Sequence, residues 1–215
     1  MKEEPSMKAT QPVIELQPIY VLTLAKFDAS EFVEYGKSLF DGQIKLTSTE
    51  GDRSYKTSIQ YYDSGRTNQV HFPSSEQLKE FICKCAMEFA TTLGYSVELY
   101  EPSANIWINE MTSGSHHKLH NHYGMNFSGC FYIEIPKDSG FITFQTLLER
   151  YDRAPLEVKE YTVFNSGSWT VSTKEGDLLM WESFLQHQVK PSVFEGKRLC
   201  LGFDVIMNRK QEDGV

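Results

Sequence analysis

The sequence predicts a mainly β protein with helices, of the α+β class, built as a sandwich or a jelly-roll barrel. Two observations predict this class. From Val97 to Met207, short runs rich in aromatic and β-branched residues alternate with turn residues, which is the spacing of strands in such folds. Ahead of that region, one long amphipathic helix is expected to pack on a sheet as a supporting layer.

The size and charge of the chain limit the classes of function. Its 215 residues suit one large domain, and its formal net charge of −8 at pH 7 comes with no basic stripe for phosphates. Nucleic acid is therefore not the expected partner. The sequence lacks the apolar run of about 20 residues that a membrane helix needs. The four cysteines form no CxxC pair, and we find no secretory signal, so a cytoplasmic location with reduced thiols is predicted.

The N-terminal third is predicted to hold a tail, a short helix and loops. Residues 1–16 mix charge with two prolines and are expected to form a flexible tail. A strand is predicted over 18–24 and a short helix over 28–40. Residues 41–73 are rich in turn-forming residues, which predicts loops with one or two short strands.

The clearest helix is predicted over 75–93. Ser74 followed by Gln77 is typical of a capping box, and Gly94 stands where a helix commonly ends in the left-handed conformation. Apolar residues recur at helical spacing and predict one buried stripe: Leu78, Phe81, Ile82, Cys85, Phe89 and Leu93.

Strands fill the rest of the chain in this prediction. They are VELY, ANIWINEM, FSGCFYIEIP, GFITFQ, EYTVFN, WTVST, GDLLMW, HQVKP and KRLCLGFDVIM. We find no internal repeat and no low-complexity linker. A single domain is therefore predicted over 17–215, with a supporting layer over 17–96 and a barrel core over 97–207.

Histidines cluster just before one predicted strand. Four of the six in the chain lie between His116 and His122, and the triplet His120-Asn121-His122 would present two imidazoles to one side of a strand. That arrangement suits chelation of a metal, although a solvated pair of histidines has the same spacing. His187 follows 65 positions after His122, and a jelly roll allows the two segments to be neighbours.

An arginine follows eleven positions after His187. Arg198 alternates with Leu199 and Leu201 in KRLCLGFD, so it is predicted to face the interior of the barrel unless it lies at the mouth, in solvent. Burying its charge is costly unless it meets an anion, and its planar fork suits a carboxylate.

These residues carry a resemblance to the iron- and 2-oxoglutarate-dependent oxygenases, in which HxD/E...H binds Fe(II) and an arginine pairs with the cosubstrate. In particular, WIN, GSHHKLHNH, SGCFYIEIP, GFITF, GDLLMWESFLQH and RLCLGF resemble a family of putative 2OG-Fe(II) oxygenases of bacteria and phages. The pattern of that family runs W-x-N, G, H-x-H, SGvyY, GdlllFpswleH and RxSxxF. The resemblance covers residues 101–207 and implies a double-stranded β-helix, the cupin-like jelly roll.

The resemblance implies a site and a reaction. His120, His122 and His187 would bind Fe(II), and Arg198 would pair with the distal carboxylate of 2-oxoglutarate. Asn109 is spaced from the histidines as in N-x4-G-x5-H-x-D of the AlkB-type demethylases, which implies a contact to the cosubstrate. Tyr132 is a further cosubstrate candidate, because it shares strand parity with the histidines when no bulge intervenes. No catalytic side chain is expected beyond the metal ligands.

The sequence departs from the family in two ways. His122 stands where the wider superfamily has a carboxylate, so either His122 or a nearby acid is expected as the third ligand, and Cys200 replaces the serine of RxS. The candidate acids are Glu134, Asp138, Asp177 and Glu182. On ligand chemistry alone, three imidazoles also suit copper or zinc.

We therefore expect a dioxygenase that uses Fe(II), 2-oxoglutarate and O₂ to hydroxylate a small molecule or peptide, with release of succinate and CO₂. Two alternatives are a tri-histidine dioxygenase that does not use 2-oxoglutarate and a non-catalytic jelly-roll module. The expected location is the cytoplasm of a bacterium or a phage-infected cell, without membrane contact, and a homodimer is compatible with exposed edge strands. His116 and His117 are expected in a loop near the mouth. Four aromatic residues are candidates for lining the pocket: Tyr123, Trp169, Trp181 and Phe184.

Overall fold

A computed structural model describes residues 23–40, 46–49, 52–58, 60–61, 67–68, 75–139, 141–145, 157–162 and 165–211. The predicted tail over 1–16, most of the predicted strand over 18–24 and Ser74 of the predicted capping box lie outside these residues. No helix among the described residues is both long and apolar enough to cross a membrane.

The described residues form strands and two α-helices, as the sequence predicted. The helices are α1 (Val33–Ser38) and α2 (Glu76–Thr92). The strands are β1 (Leu24–Asp28), β2 (Thr47–Thr49), β3 (Asp52–Thr57), β4 (Gln60–Tyr61), β5 (Thr67–Asn68), β6 (Tyr100–Met111), β7 (His117–His120), β8 (Phe127–Glu134), β9 (Ile142–Gln145), β10 (Ser168–Val171), β11 (Asp177–Glu182), β12 (His187–Val189) and β13 (Arg198–Arg209).

Two antiparallel sheets make the core of the fold. The larger sheet has the order β1-β11-β8-β13-β6-β3-β2, and the smaller sheet has the order β10-β9-β12-β7. Among the described residues, β4 and β5 pair only with each other. Most neighbouring strands in both sheets are distant in sequence, as the crossing connections of a jelly roll require, and the consecutive pairs β2–β3 and β9–β10 are the exceptions. The prediction of a mainly β jelly roll with an N-terminal helical layer is confirmed.

Strand alternation in the larger sheet separates an apolar face from a polar one. Leu201 of β13 pairs with Phe131 of β8, and both pack in the cluster that α2 covers with Leu78 and Ile82. The opposite face of β13 carries Arg198 and the residues at even positions after it. Helix α2 therefore covers the apolar face of the larger sheet, and the polar face lies toward the smaller sheet.

The predicted end of the long helix is confirmed in detail. Gly94 has φ +86°, its N–H donates to the Thr91 carbonyl, and the N–H of Tyr95 donates to the Ala90 carbonyl. These two bonds form a Schellman motif, which satisfies carbonyls that the last helical turn leaves unpaired. The helix begins at Glu76, and Ser75 at its N-cap makes no side-chain bond to the helix.

Three local predictions differ from the structure. Val97–Leu99 form a 3₁₀ helix rather than the start of a strand, because the Leu99 N–H closes a turn onto the Ser96 carbonyl. Residues 160–162 of the predicted strand EYTVFN form no strand. The predicted helix over 28–40 is divided into a 3₁₀ turn at Ser30–Phe32 and the short α1.

Candidate functional site

Three histidines meet between the two sheets. His120 ends β7 and lies opposite His187, the first residue of β12, while His122 follows β7 by two residues. One ring nitrogen from each of the three lies within 4.8 Å of the others. The jelly-roll topology thus brings together residues that are 65 or more positions apart, as predicted from the sequence.

Backbone carbonyls orient two of these rings. Nδ1 of His120 lies 2.7 Å from the Lys118 carbonyl, and Nδ1 of His187 lies 3.0 Å from the Leu185 carbonyl. A carbonyl only accepts hydrogen bonds, so each Nδ1 carries the proton and donates it. The Nε2 lone pairs of both rings are then free for a metal, which is the tautomer that histidine ligands adopt.

A carboxylate orients the third ring. His122 donates from Nδ1 to Asp204 Oδ1 at 2.6 Å, and the Ser128 hydroxyl donates to the same oxygen at 2.6 Å. Ser183 lies 2.7 Å from Ser128 and continues the network. Nε2 of His122 is buried and has no partner among the described residues. A carboxylate behind a histidine ligand fixes its ring and raises its basicity, so this network prepares His122 for a metal.

None of the four acids considered as alternative ligands belongs to the histidine group. Glu134 and Asp138 are exposed, Asp177 pairs with Lys26 at 2.7 Å, and Glu182 accepts a hydrogen bond from Tyr95. The carboxylate that does approach the site is that of Asp204. Sequence analysis missed it, although Asp204 shares strand parity with Arg198 on β13.

Burial lowers the pKa of three of the clustered histidines. Desolvation, together with electrostatic repulsion from His120, lowers the pKa of His187 to about 2. Desolvation also lowers the pKa of His120, and it lowers that of the neighbouring His117 to about 3. Metal ligation requires neutral imidazole, so these rings are ready to bind a metal near neutral pH.

Arg198 is buried at the first position of β13, with 2% of its surface exposed. It makes no ion pair with any described residue: Nη1 donates to the Met111 thioether at 3.5 Å, and Nε has no partner. The guanidinium lies 5.3 Å from the centre of the Tyr132 ring. A buried guanidinium without an anion is costly, so this location is suited to a carboxylate from outside the chain.

Tyr132 places a second polar side chain beside Arg198. It is fully buried on β8 beside Cys130 and Arg198, and its hydroxyl makes no hydrogen bond of good geometry to a described residue. Desolvation raises the pKa of this phenol well above its ordinary value, so the hydroxyl keeps its proton and is a donor. Arg198 and Tyr132 together offer unpaired donors for one anionic group.

Asn109 lies near Arg198 and Tyr132, and its side chain already hydrogen-bonds to residues of the protein. Its side-chain amide lies 2.9 Å from the hydroxyls of both Tyr55 and Thr57 on β3. It also contacts the Cys200 thiol, which hydrogen-bonds to Cys130. The bond from Cys130 lowers the pKa of Cys200, and Arg198 adds to that effect. The role of Asn109 toward a cosubstrate stays a prediction.

His117 is placed differently from the expectation of a loop residue. It begins β7, and the register shift between the β7 and β12 pairs turns its ring toward the site. The ring lies 4.1 Å from that of His120 and 5.3 Å from that of Tyr55. His116 precedes the strand, as expected.

Two tryptophans pack around the histidines. Trp107 stacks on His122 at 5.9 Å, and it lies so close to Gly202 that a Cβ there would stand 2.4 Å from its ring. Trp181 is buried beside His187 at 4.7 Å. The other aromatic candidates from the sequence, Tyr123, Trp169 and Phe184, are exposed.

The residues present fit a metal and a dicarboxylate. Three Nε2 atoms with anchored rings are a typical face for a first-row metal, and they leave positions for other ligands. On the adjoining strands β8 and β13, Tyr132 and Arg198 have donors that the described residues leave unpaired. One bound molecule that touches both the metal and Arg198 would satisfy every one of these groups.

Comparison with known proteins agrees with this geometry. Residues 105–204, just under half of the chain, match the model of a family described as putative 2OG-Fe(II) oxygenase. A sequence search among curated proteins gives no significant match.

Solved structures with the same fold are similar over most of their length. An oxidoreductase of the 2OG-Fe(II) oxygenase family from Burkholderia pseudomallei has a TM-score of 0.60 at 13% identity, covering 85% of this chain and 84% of that one. A prolyl-4-hydroxylase from Pseudomonas putida has a TM-score of 0.57 at 13% identity, covering 88% and 94%. HygX from Streptomyces hygroscopicus, solved with nickel, 2-oxoglutarate and hygromycin B, has a TM-score of 0.53 at 13% identity, covering 86% and 82%.

At this level of identity the solved structures establish the fold. The family match covers the region that carries the histidines and the arginine. On these findings, residues 105–204 are similar to the putative 2OG-Fe(II) oxygenases, and the chain has the fold of a solved oxidoreductase described as a member of that family.

Proposed function

We propose that this protein is an Fe(II)- and 2-oxoglutarate-dependent dioxygenase that hydroxylates a small molecule or a peptide. The observation that carries the proposal is the pairing of two features. Three histidines that each direct one ring nitrogen to a common point lie next to a buried arginine that has no anion among the described residues. A keto acid with a distal carboxylate complements both features at once.

His120, His122 and His187 are the proposed metal ligands. Their hydrogen bonds to Lys118, Asp204 and Leu185 hold the rings in place before the metal arrives. Three protein ligands leave room for a bidentate keto acid and for O₂. Fe(II), when bound, supplies the redox chemistry that couples oxidation of the substrate to decarboxylation of 2-oxoglutarate.

Arg198 and Tyr132 are the proposed partners of the distal carboxylate. The guanidinium gives charge and a planar pair of donors, and the phenol gives one more donor from the neighbouring strand. Asn109 is proposed to act at the same end, beside the thiol of Cys200. That thiol stands where the family pattern has a serine, and a thiol is a weaker donor than a hydroxyl.

Apolar side chains close the site on the side of His187. Trp181 and Phe144 are buried against its ring, and Leu185 packs in the same apolar cluster. They exclude water, which strengthens the ionic contact at Arg198 and protects reactive species from side reactions. The overall reaction then balances as substrate, 2-oxoglutarate and O₂ to hydroxylated substrate, succinate and CO₂.

The class of substrate is proposed from the charge of the chain and from its structural relatives. HygX was solved with hygromycin B bound, and the Pseudomonas protein is a prolyl-4-hydroxylase. The net charge of −8 disfavours nucleic acid. Small molecules and peptides are the two classes that we propose.

Formation of succinate from 2-oxoglutarate tests the proposal. Protein loaded anaerobically with Fe(II) should release succinate and CO₂ when 2-oxoglutarate and O₂ are added, slowly without substrate and faster with one. In Arg198→Met this release should require about 100-fold more 2-oxoglutarate. Arg209→Met, at an exposed arginine on the same strand, should leave the requirement unchanged. Iron binding with no succinate under any condition would instead support a tri-histidine enzyme that does not use 2-oxoglutarate.

A further inference from the structure

One buried donor beside the histidines has no role in the function proposed above. Four buried side-chain atoms around the site lack a partner among the described residues: His122 Nε2, Tyr132 Oη, Trp181 Nε1 and Arg198 Nε. The metal would be the partner of His122 Nε2, and the distal carboxylate would accept hydrogen bonds from Tyr132 and Arg198. The indole N–H of Trp181 would still lack an acceptor.

Packing fixes the position of this indole. Trp181 lies on β11 with 2% of its surface exposed, edge-on to His187 at 4.7 Å and to Phe144 at 5.1 Å. It packs in one cluster with Tyr132 and Cys200, which lie close to Arg198. The ring therefore extends from a metal ligand toward the carboxylate end of the site. With 2% of its surface exposed, the side chain is shielded from solvent.

An indole N–H only donates, so its missing partner must be an acceptor. Buried donors without an acceptor are rare in native proteins, because burial removes the water that would otherwise bond to them. The molecule proposed to lie between His187 and Arg198 carries five oxygens in its keto and carboxylate groups. Those oxygens are acceptors of the kind that the indole N–H lacks.

We propose that Trp181 donates its indole N–H to an oxygen of the bound keto acid, which makes it a further cosubstrate-binding residue. The inference rests on the function proposed above. Trp181 would hold the cosubstrate from the side of β11, while Arg198 and Tyr132 hold it from β13 and β8.

Trp181→Phe removes the N–H and keeps an aromatic ring, so it tests the bond with little change in packing. The measurement is an anaerobic titration with Fe(II) and then with 2-oxoglutarate, followed by the visible charge-transfer absorption. We expect the Kd for 2-oxoglutarate to rise about tenfold, the usual worth of one buried hydrogen bond, with the Kd for Fe(II) unchanged. Trp169→Phe makes the same chemical change at an exposed position and should alter neither constant.

Two results would overturn the inference while leaving the proposed function intact. One is a Trp181→Phe protein that binds 2-oxoglutarate as tightly as wild type. The other is a variant that loses Fe(II) affinity by the same factor, which would make Trp181 a packing residue of His187. Wild-type protein that develops no absorption with 2-oxoglutarate would overturn the proposed function itself, and this inference with it.

A measurement on wild-type protein covers the case in which Trp181→Phe does not fold. The chain has three tryptophans, so ¹⁵N labelling gives three indole signals, which Trp169→Phe and Trp107→Phe assign by subtraction. With diamagnetic Zn(II) in the site, addition of 2-oxoglutarate should move the Trp181 indole proton downfield and slow its exchange with solvent. A signal that does not move would mean that Trp181 has another partner, such as a buried water, and would refute the proposal.

Discussion

The hydrogen bond between Asp204 and His122 is predicted to set the affinity for the metal. Asp204→Asn removes the negative charge behind the imidazole while keeping the shape of the side chain. The bond is short, at 2.6 Å, and both side chains are 16% exposed, so water replaces it poorly. An asparagine is also able to turn its NH₂ toward Nδ1, which would favour the tautomer that carries its proton on the metal-binding nitrogen.

The expected size follows from the position of Asp204 one bond behind a ligand. Loss of such a partner weakens metal binding by about 10–100-fold, which corresponds to about 1.4–2.7 kcal/mol. Isothermal titration of metal-free protein with Fe(II) under anaerobic conditions gives the Kd directly. Asp138→Asn, at an exposed position away from the site, is the matched control. An unchanged Kd in Asp204→Asn would refute the reasoning, because His122 would then not depend on its carboxylate.

Three further results are expected. Unfolded histidine takes up a proton near pH 6.5 whereas His187 resists protonation down to about pH 2, so the metal-free protein should lose stability as the pH falls below 6.5. In His187→Gln this histidine no longer titrates. The free energy of unfolding, measured with urea, should therefore fall less steeply with decreasing pH than in wild type, by about 1.4 kcal/mol per pH unit. Gly129→Ala should destabilise by about 1–3 kcal/mol in thermal unfolding, because its Cβ would stand 2.3 Å from a backbone carbonyl, while Gly167→Ala, in open space, should not. Tyr132→Phe should raise the Kd for 2-oxoglutarate about tenfold without changing Fe(II) binding, and the exposed Tyr161→Phe should change neither.

The sequence predicted the fold class and the group of histidines for separate physical reasons. Alternation of apolar and polar residues requires only the period of a strand, and it located β8, β11 and β13 well. The convergence of His120 with His187 depends on which strands pair, and that is not visible in periodicity. The resemblance to a family supplied it.

Several features could not be predicted from the sequence, because they depend on strand register or on local turns. The bulge between β7 and β12 turns His117 into the site, and no pattern of residues marks a bulge there. Asp204 could have been predicted, because strand alternation places it on the same face of β13 as Arg198. The candidate acids instead came from strand ends and turns, where the structure leaves them exposed or paired with other residues. The 3₁₀ helix at Val97–Leu99 follows from the way α2 ends, which strand propensity does not reveal.

The most direct test of the account is an anaerobic titration of metal-free protein with Fe(II) and then with 2-oxoglutarate. A visible metal-to-ligand charge-transfer band should appear and saturate at one 2-oxoglutarate per chain. The band should be lost in His187→Ala, and in Arg198→Met it should require about 100-fold more 2-oxoglutarate, the cost of a lost pair of charged hydrogen bonds. Iron that binds to the three histidines without any band on addition of 2-oxoglutarate would contradict the account, because Arg198 would then hold something other than this cosubstrate.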